Sequence, residues 1–266
     1  MRWLRSPGAD DDKRSMGVLG VVTGSERYPG AAVLGVEAAW RTGIGMVRLW
    51  APRRVQDLVL ARRPETVCHA LDDPAEGVDA WLLGSGQDAR ERDPRLRSLL
   101  LEALGAGSPS VVDAGALDLV PGHAGPVVVT PHGRELERIL EQLGAPVDAD
   151  GRMRAAAAAA ALDAVVVAKG SATHVVEPGG PTTRIEAATH RLATAGTGDV
   201  LAGMLGALVA ANAGAAREPA ALASIAALAV ALHGEAAAAA VADGRPITAL
   251  DVAEHVPGAV AARLAR

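Results

Sequence analysis

The chain has 266 residues, enough to bury a substantial core as one large α/β domain or two smaller ones. Half of the residues are hydrophobic, but there is only one Tyr and no Phe, so the core must consist mainly of Ala, Val and Leu. A net charge of -5 argues against a nucleic-acid-binding surface. The single cysteine excludes a disulfide framework and a thiolate metal cluster, and we expect a cytoplasmic protein.

The first part of the chain predicts a charged leader followed by alternating strands and helices. Residues 1–16 lack the central apolar segment of a secretory signal, so we expect a flexible lead-in before a single domain over residues 17–266. Short apolar runs typical of buried strands follow at 18–22, 46–50, 66–69, 80–83, 110–112, 127–129 and 164–167. Helical patterns lie at 29–41, 94–104, 134–143 and 152–162.

The last third of the chain predicts a hairpin and then helices only. Residues 173–176 and 182–185, separated by a Pro-Gly-Gly-Pro turn, indicate an antiparallel hairpin at one edge of the sheet. The Ala-rich stretch 220–240 is interrupted by His233-Gly234-Glu235, which favours a buried or half-buried helix over a membrane span. Apolar strands joined by amphipathic helices predict an α/β fold with a mostly parallel sheet covered on both faces.

Polar or glycine-rich segments directly follow several predicted strands. Each one alone is explained as an ordinary turn. In a parallel sheet, however, these segments meet at one edge, where ligands of open α/β sheets bind. The segments are Gly84-Ser85-Gly86, Asp113-Ala114-Gly115, Thr130-Pro131-His132 and Lys169-Gly170-Ser171.

The segment Gly196-Thr197-Gly198-Asp199 stands immediately before an apolar helical run. Bare N–H groups of Gly196, Thr197 and Gly198 at a helix N-terminus would form an anion hole for a phosphoryl group. A carboxylate there makes sense if Asp199 takes a proton from an attacking hydroxyl. The alternative is structural, with Thr197 or Asp199 as an N-cap.

Four other polar residues leave alternatives open. Lys169 would position nucleotide phosphates, although the glycine-to-lysine spacing of a Walker A loop is missing. His132 either faces a ligand or caps a helix. Asp113 is either structural or holds magnesium through water. His233, inside a helix, is interpreted as a satisfied core or interface group.

Taken together, these segments resemble the ADP-dependent NAD(P)H-hydrate dehydratase family of the ribokinase-like superfamily, from about Gly17 to the C-terminus. The resemblance is carried by Tyr28-Pro29-Gly30-Ala31-Ala32, Arg41-Thr42-Gly43-Ile44-Gly45, Gly84-Ser85-Gly86, Thr130-Pro131-His132 with Glu135, Lys169-Gly170, and 193–203 around Gly196-Thr197-Gly198-Asp199. It implies a three-layer ribokinase-like fold. Two departures are Arg134, where the family pattern has Gly, and Ala188-Thr189-His190, where it often has Gly-Asn-Pro.

The resemblance also implies which residues form the sites. The hydrate would contact Ala31, Gly86, His132 and Asp199, with Asp199 as the catalytic residue. The adenine nucleotide would contact Lys169, Gly170, Ser171, Ala172, Thr173 and Gly198. Mg²⁺ would bridge the phosphates without a dedicated protein ligand. We expect a homo-oligomer such as a tetramer, and neither nucleic acid nor membrane as a partner.

The implied reaction repairs the S form of hydrated NADH or NADPH at the expense of ADP and releases AMP and phosphate. Two alternatives stand beside it: a ribokinase-like kinase of a pyrimidine, thiazole or sugar alcohol, and a non-catalytic adenine-nucleotide-binding protein. The sequence leaves open whether NADH or NADPH hydrate is preferred, and whether ATP can replace ADP.

Overall fold

The computed structural model describes residues 2–145, 150–242 and 244–265. Nine strands form one sheet in the order β3-β2-β1-β4-β5-β6-β7-β8-β9. Strands β1 to β7 are parallel, whereas β8 is antiparallel to both of its neighbours. The strands are β1 Val18–Val22, β2 Met46–Trp50, β3 Val67–His69, β4 Ala80–Leu83, β5 Ser110–Val112, β6 Val127–Val129, β7 Val165–Ala168, β8 Ala172–Val176 and β9 Thr182–Glu186.

Helices cover both faces of the sheet and bury two separate hydrophobic clusters. One cluster joins the sheet to α1, α2, α6, α7 and α8, and the other joins it to α3, α4 and α5. The predicted three-layer α/β architecture is therefore confirmed. The helices are α1 Gly30–Thr42, α2 Arg53–Arg62, α3 Pro94–Gly105, α4 Gly133–Gln142, α5 Gly151–Leu162, α6 Thr197–Ala211, α7 Pro219–Ala240 and α8 Ala249–Leu264, with three short 3₁₀ helices at Ala114–Leu119, His190–Leu192 and Ala215–Arg217.

Helix α2 was not predicted from the sequence. Arginines at its C-terminal end form an ion cluster with a carboxylate of α1. The carboxylate of Glu37 on α1 is fully buried and lies between three guanidinium groups, at 2.5 Å from Arg41, 3.1 Å from Arg62 and in direct contact with Arg63. Burial raises the pKa of Glu37, but the three arginines outweigh it and hold that pKa at about 2. The ion cluster thus fixes α2 against α1.

The N-terminal segment is anchored, where the sequence predicted a flexible lead-in. Trp3 and Leu4 are buried in the core of the α6–α7 face. The Trp3 indole N–H donates to Ser224 Oγ at 2.9 Å, and Asn212 donates its amide N–H to the Trp3 carbonyl at 3.0 Å. These partners are more than 200 positions away in the chain, which is why local sequence pattern did not reveal them.

Helix α7 meets the length and hydropathy criterion for a membrane span, contrary to the expectation that no stretch would. By packing it is a core helix of this fold, because one face is buried against α6, α8 and the sheet. Small side chains on α7 allow that close approach without bulky aromatic residues.

We predict that the contact between α1 and α6 at Gly203 tolerates no side chain. A Cβ at Gly203 would overlap the carbonyl oxygen of Gly35, so Gly203→Ala should lower the free energy of unfolding by about 1–3 kcal/mol. Gly258→Ala is the matched control, since Gly258 lies inside α8 with open space around its Cβ position, and alanine there should stabilise by about 0.5–1 kcal/mol. Urea denaturation followed by circular dichroism measures both; equal stabilities would contradict the packing described here.

Candidate active site

Asp113 connects the carboxyl ends of four consecutive strands. Its carboxylate accepts hydrogen bonds from Ser85 Oγ at 2.9 Å, from Thr130 Oγ1 at 2.6 Å and from Lys169 Nζ at 2.8 Å. Ser85 follows β4, Asp113 follows β5, Thr130 follows β6 and Lys169 follows β7. The segments that the sequence predicted to share one edge of the sheet are therefore joined by direct contacts.

The ion pair between Asp113 and Lys169 keeps both groups charged although Asp113 is buried. Burial raises the pKa of Asp113, but the Lys169 ammonium and the two hydroxyls outweigh it and hold the pKa below its usual range. Burial lowers the pKa of Lys169, and the Asp113 carboxylate more than compensates, so that this pKa lies above its ordinary value.

Three hydrogen bonds occupy the carboxylate of Asp113, which leaves it poorly placed to accept more from a magnesium-bound water. Of the two alternatives that the sequence left for Asp113, these contacts favour the structural one over a magnesium site.

The N-terminus of α6 presents free amide groups. Gly196 has a φ of +89°, in the left-handed region that favours glycine, and its carbonyl accepts the first helical hydrogen bond from Val200. Within the described part of the chain, the N–H groups of Gly198 and Asp199 have no acceptor. The N–H of Thr197, by contrast, donates to the Thr194 carbonyl at 3.4 Å. The predicted anion hole thus needs Asp199 in place of Thr197, because a turn already uses the Thr197 amide.

The carboxylate of Asp199 is half-buried beside this helix end. Among residues 2–145, 150–242 and 244–265 it accepts no hydrogen bond, which rules out the N-cap alternative for this side chain. Burial and the neighbouring Asp113 carboxylate raise the pKa of Asp199 to about 6, against an opposing effect of Lys169. A carboxylate with that pKa is ionised at neutral pH and still basic enough to take a proton from a substrate.

Lys169 and Gly198 lie next to each other in the wall of a cavity of about 470 Å³. Lys169 Nζ lies 3.4 Å from the position that a Cβ on Gly198 would occupy, so a larger residue there would crowd the ammonium group. Of the predicted nucleotide residues, all but Ala172 line this cavity: Lys169, Gly170, Ser171, Thr173 and Gly198.

His132 caps a helix, as one of the two alternatives predicted, and it also lines the cavity. It is the N-cap of α4 in a reciprocal capping box: its Nδ1 accepts from the Glu135 N–H at 3.4 Å, and its own N–H donates to Glu135 Oε2 at 2.9 Å. Because Nδ1 accepts, the proton of the neutral ring belongs on Nε2. The side chain is 52% exposed and lines the cavity, so the capped ring remains accessible from it.

Ala31 and Gly86 lie together near the carboxyl ends of β1 and β4. Gly86 follows β4 and packs directly on the Ala31 side chain at the start of α1. One helical turn farther along α1, Gly35 packs on the backbone of Asp199. The two residues that the resemblance assigns to the hydrate are thus connected to Asp199 through α1.

Sequence reasoning missed the residues that α7 and the loop after β9 contribute to the cavity. His233 was interpreted as satisfied, but its Nε2 has no hydrogen-bond partner in the described part of the chain. Burial lowers the pKa of His233 to about 4, so the ring is neutral at physiological pH. Thr189 lines the cavity where the family often has Asn, and it also caps a 3₁₀ helix by accepting from the Arg191 N–H at 3.2 Å.

The residues fit a magnesium ion that is held mainly by phosphates. In the ranges that the structure describes, no three His, Cys, Asp or Glu side chains converge on one point. Magnesium usually retains waters and phosphate oxygens and takes only one or two carboxylates from the protein. Lys169 and the free amide of Gly198 would hold those phosphates, so the ion needs no dedicated protein ligand.

Comparison with known proteins identifies similar sequences and structures. The model of the NAD(P)H-hydrate dehydratase family matches residues 19–257. The bifunctional NAD(P)H-hydrate repair enzyme Nnr of Mycobacterium tuberculosis is 41% identical over 211 residues, which cover 77% of this chain and 43% of that protein. The ADP-dependent (S)-NAD(P)H-hydrate dehydratase of Neisseria meningitidis is 33% identical over 78% of this chain and 74% of its own length.

Solved structures agree with the fold. The ADP/ATP-dependent NAD(P)H-hydrate dehydratase of Bacillus subtilis, co-crystallised with ATP/Mg²⁺, matches with a TM-score of 0.77 at 25% identity over 97% of this chain and 93% of that one. A ribokinase-like superfamily protein of Enterococcus faecalis matches with a TM-score of 0.80 at 21% identity, over 97% of this chain and 91% of that one. The second match confirms the ribokinase-like fold alone.

We predict that removing the charge of Asp113 destabilises the protein strongly. Asp113→Asn leaves the Lys169 ammonium without its counter-charge in a buried place, so the free energy of unfolding should fall by about 3–5 kcal/mol. Asp57→Asn is the matched control, because the exposed pair of Asp57 with Arg53 should contribute about 0.5 kcal/mol or less. Chemical denaturation compares the two variants, and losses of similar size would show that the buried pair has no special role.

Proposed function

We propose, from the premise that the chain belongs to the NAD(P)H-hydrate dehydratase family, that it dehydrates the S form of hydrated NADH or NADPH with ADP as co-substrate. AMP, phosphate and the restored cofactor would be the products. The observation that carries this proposal is the half-buried Asp199 carboxylate beside the free amides of an α6 N-terminus and the Lys169 ammonium.

The 470 Å³ cavity would hold the adenine nucleotide. Lys169 and Gly198 line it, and the phosphates would bind beside them because both the ammonium and the helix dipole attract negative charge. Apolar side chains of Leu201 and Val230 also line it and suit the nucleoside.

Asp199 would act as the general base in the first step. Its carboxylate takes the proton of the hydroxyl on the hydrated nicotinamide ring, and that oxygen attacks the β-phosphorus of ADP. The bond between the β-phosphorus and the bridging oxygen breaks, and AMP leaves with the electron pair. The amides of Gly198 and Asp199 donate hydrogen bonds to the oxygens on which negative charge accumulates.

Elimination of phosphate would complete the reaction. The lone pair of the ring nitrogen displaces phosphate from the adjacent carbon, and the neighbouring ring carbon then loses a proton, which restores the double bond of the dihydronicotinamide. Bound Mg²⁺, held by the nucleotide phosphates, would neutralise their negative charge. The fold's kinases would share the first step, and only a substrate that can expel phosphate gives a dehydration.

The homo-oligomer, the cytoplasmic location and the division into residues 1–16 and 17–266 stay predictions.

We predict that Asp199→Asn lowers kcat for hydrated NADH by about 10²–10⁴-fold, because the amide cannot accept the hydroxyl proton. The Kd for ADP should change little, since the backbone amides remain. Asp163→Asn is a matched control: Asp163 is exposed at the end of α5 with a φ of +50°, which Asn tolerates, and full activity is expected. The measurement is the recovery of absorbance at the NADH wavelength, with calorimetry for ADP; ordinary turnover by Asp199→Asn would exclude the assigned base.

We further predict that kcat/KM falls at acidic pH. Because burial and Asp113 raise the pKa of Asp199 to about 6, the basic form predominates above that pH and is lost below it. The value of kcat/KM should therefore be level above roughly pH 7 and fall about tenfold per pH unit at acidic pH. Steady-state rates at constant ionic strength provide the test, and an apparent pKa near 4 would show that Asp199 is not perturbed as described.

A further inference from the structure

We propose that a second cleft, of about 390 Å³, binds the adenosine half of the hydrate and makes the protein prefer hydrated NADH over hydrated NADPH. This inference rests on the proposed function, because it takes the hydrate as the substrate. The inference adds where the adenosine half of the hydrate binds and why hydrated NADH is preferred over hydrated NADPH.

The cleft lies at the point where the strand order of the sheet reverses. β1 pairs with β2 on one side and with β4 on the other, so the chain turns away in opposite directions after these two strands. Gly24 follows β1 and Gln87 follows β4, and both line the cleft. Open α/β sheets bind ligands in the crevice outside the carboxyl ends of the strands at this position.

The cleft is adjacent to the residues assigned to the nicotinamide end. The Cβ position of Gly86 is in contact with Ala31 and lies 3.3 Å from the Cα of Gly24, a residue of the cleft wall. A hydrate whose damaged ring lies near Ala31, Gly86 and Asp199 would therefore extend into the cleft. The 470 Å³ cavity is at the ends of β6 and β7, so a bound nucleotide there leaves the second cleft free.

Two side chains of the cleft suit a nucleoside. Tyr28, the only tyrosine of the chain, is 46% exposed at the cleft wall. The Arg27 guanidinium lies over its ring, 5.2 Å from the centroid, so adenine would stack on the opposite face. Gln87 is 9% exposed, and its Oε1 has no hydrogen-bond partner in the described ranges while its amide nitrogen donates to the Val22 carbonyl at 3.0 Å. Because buried acceptors normally have a partner, a ligand hydroxyl or amine would be a suitable donor to this oxygen.

The charges of the cleft oppose binding of the 2′-phosphate that distinguishes NADPH from NADH. Four carboxylates line it, from Glu26, Asp88, Glu91 and Asp93, against the two guanidinium groups of Arg27 and Arg92. The Arg92 guanidinium pairs with Asp118 at 2.6 Å and donates a hydrogen bond to the Gly115 carbonyl. Arg27 pairs with Glu91 at 3.4 Å. Carboxylates accept hydrogen bonds from the free 2′-hydroxyl of NADH but repel the 2′-phosphate of NADPH.

The experiment compares kcat/KM for the purified S hydrates of NADH and NADPH, with saturating ADP and Mg²⁺. For the unmodified protein we expect a ratio of about tenfold or more in favour of hydrated NADH. Glu91→Gln removes one carboxylate and releases Arg27, so it should raise kcat/KM for hydrated NADPH and reduce the ratio by about threefold or more. Glu102→Gln, the same change at an exposed position of α3 outside the cleft, should leave the ratio unchanged.

A second variant tests the location itself. Tyr28→Ala should raise KM for hydrated NADH by about tenfold, through the loss of stacking on an exposed ring that the fold does not need, and leave the Kd for ADP unchanged. Leu58→Ala, at a residue that is 43% exposed on α2, is the matched control and should alter neither quantity.

The two possible failures are distinguishable. If the unmodified protein restores both hydrates with equal kcat/KM, or if Tyr28→Ala leaves KM unchanged, this inference is overturned and the proposed function stands. If neither hydrate is restored, the proposed function is overturned and this inference falls with it.

Discussion

The hydrogen-bonded ion pair between Asp113 and Lys169 is the interaction on which the candidate site depends. A buried carboxylate is costly unless it is paired, and here one ammonium and two hydroxyls from neighbouring strand ends satisfy it. The same contacts hold the ends of β4, β5, β6 and β7 together. Lys169 is thereby fixed over Gly198, where a phosphoryl group would meet the N-terminus of α6.

The second consequence of this pair is electrostatic. Asp113 adds a negative charge near Asp199, and burial acts in the same direction, so the pKa of Asp199 rises to about 6 while Lys169 opposes the rise. Lys169 would thus attract a phosphoryl group, while Asp113 keeps the Asp199 carboxylate basic. Two carboxylates of one site have different environments: Asp113 accepts three hydrogen bonds and serves structure, whereas Asp199 accepts none from the described residues and is left for chemistry.

The sequence predicted the sheet strands to within one or two residues, because each is a short apolar run bounded by turn residues. It missed α2, whose buried positions Val55 and Val59 are too few to give an amphipathic pattern. Local motifs located Lys169, Asp199 and the glycines of the helix end. They could not show that Asp113 bonds to Ser85 and Thr130, or that His233 reaches the cavity, since these contacts join distant parts of the chain. Nor did the motif show that a local turn uses the Thr197 amide.

The account is tested most directly by a crystal structure of the protein with AMP, Mg²⁺ and a fluoride analogue of the transferring phosphoryl group. It predicts that the analogue accepts hydrogen bonds from the amides of Gly198 and Asp199, with Lys169 Nζ in contact and the Asp199 carboxylate facing the side from which a hydroxyl would attack. An analogue bound away from the N-terminus of α6, or an Asp199 carboxylate turned into the hydrophobic core in that complex, would contradict it.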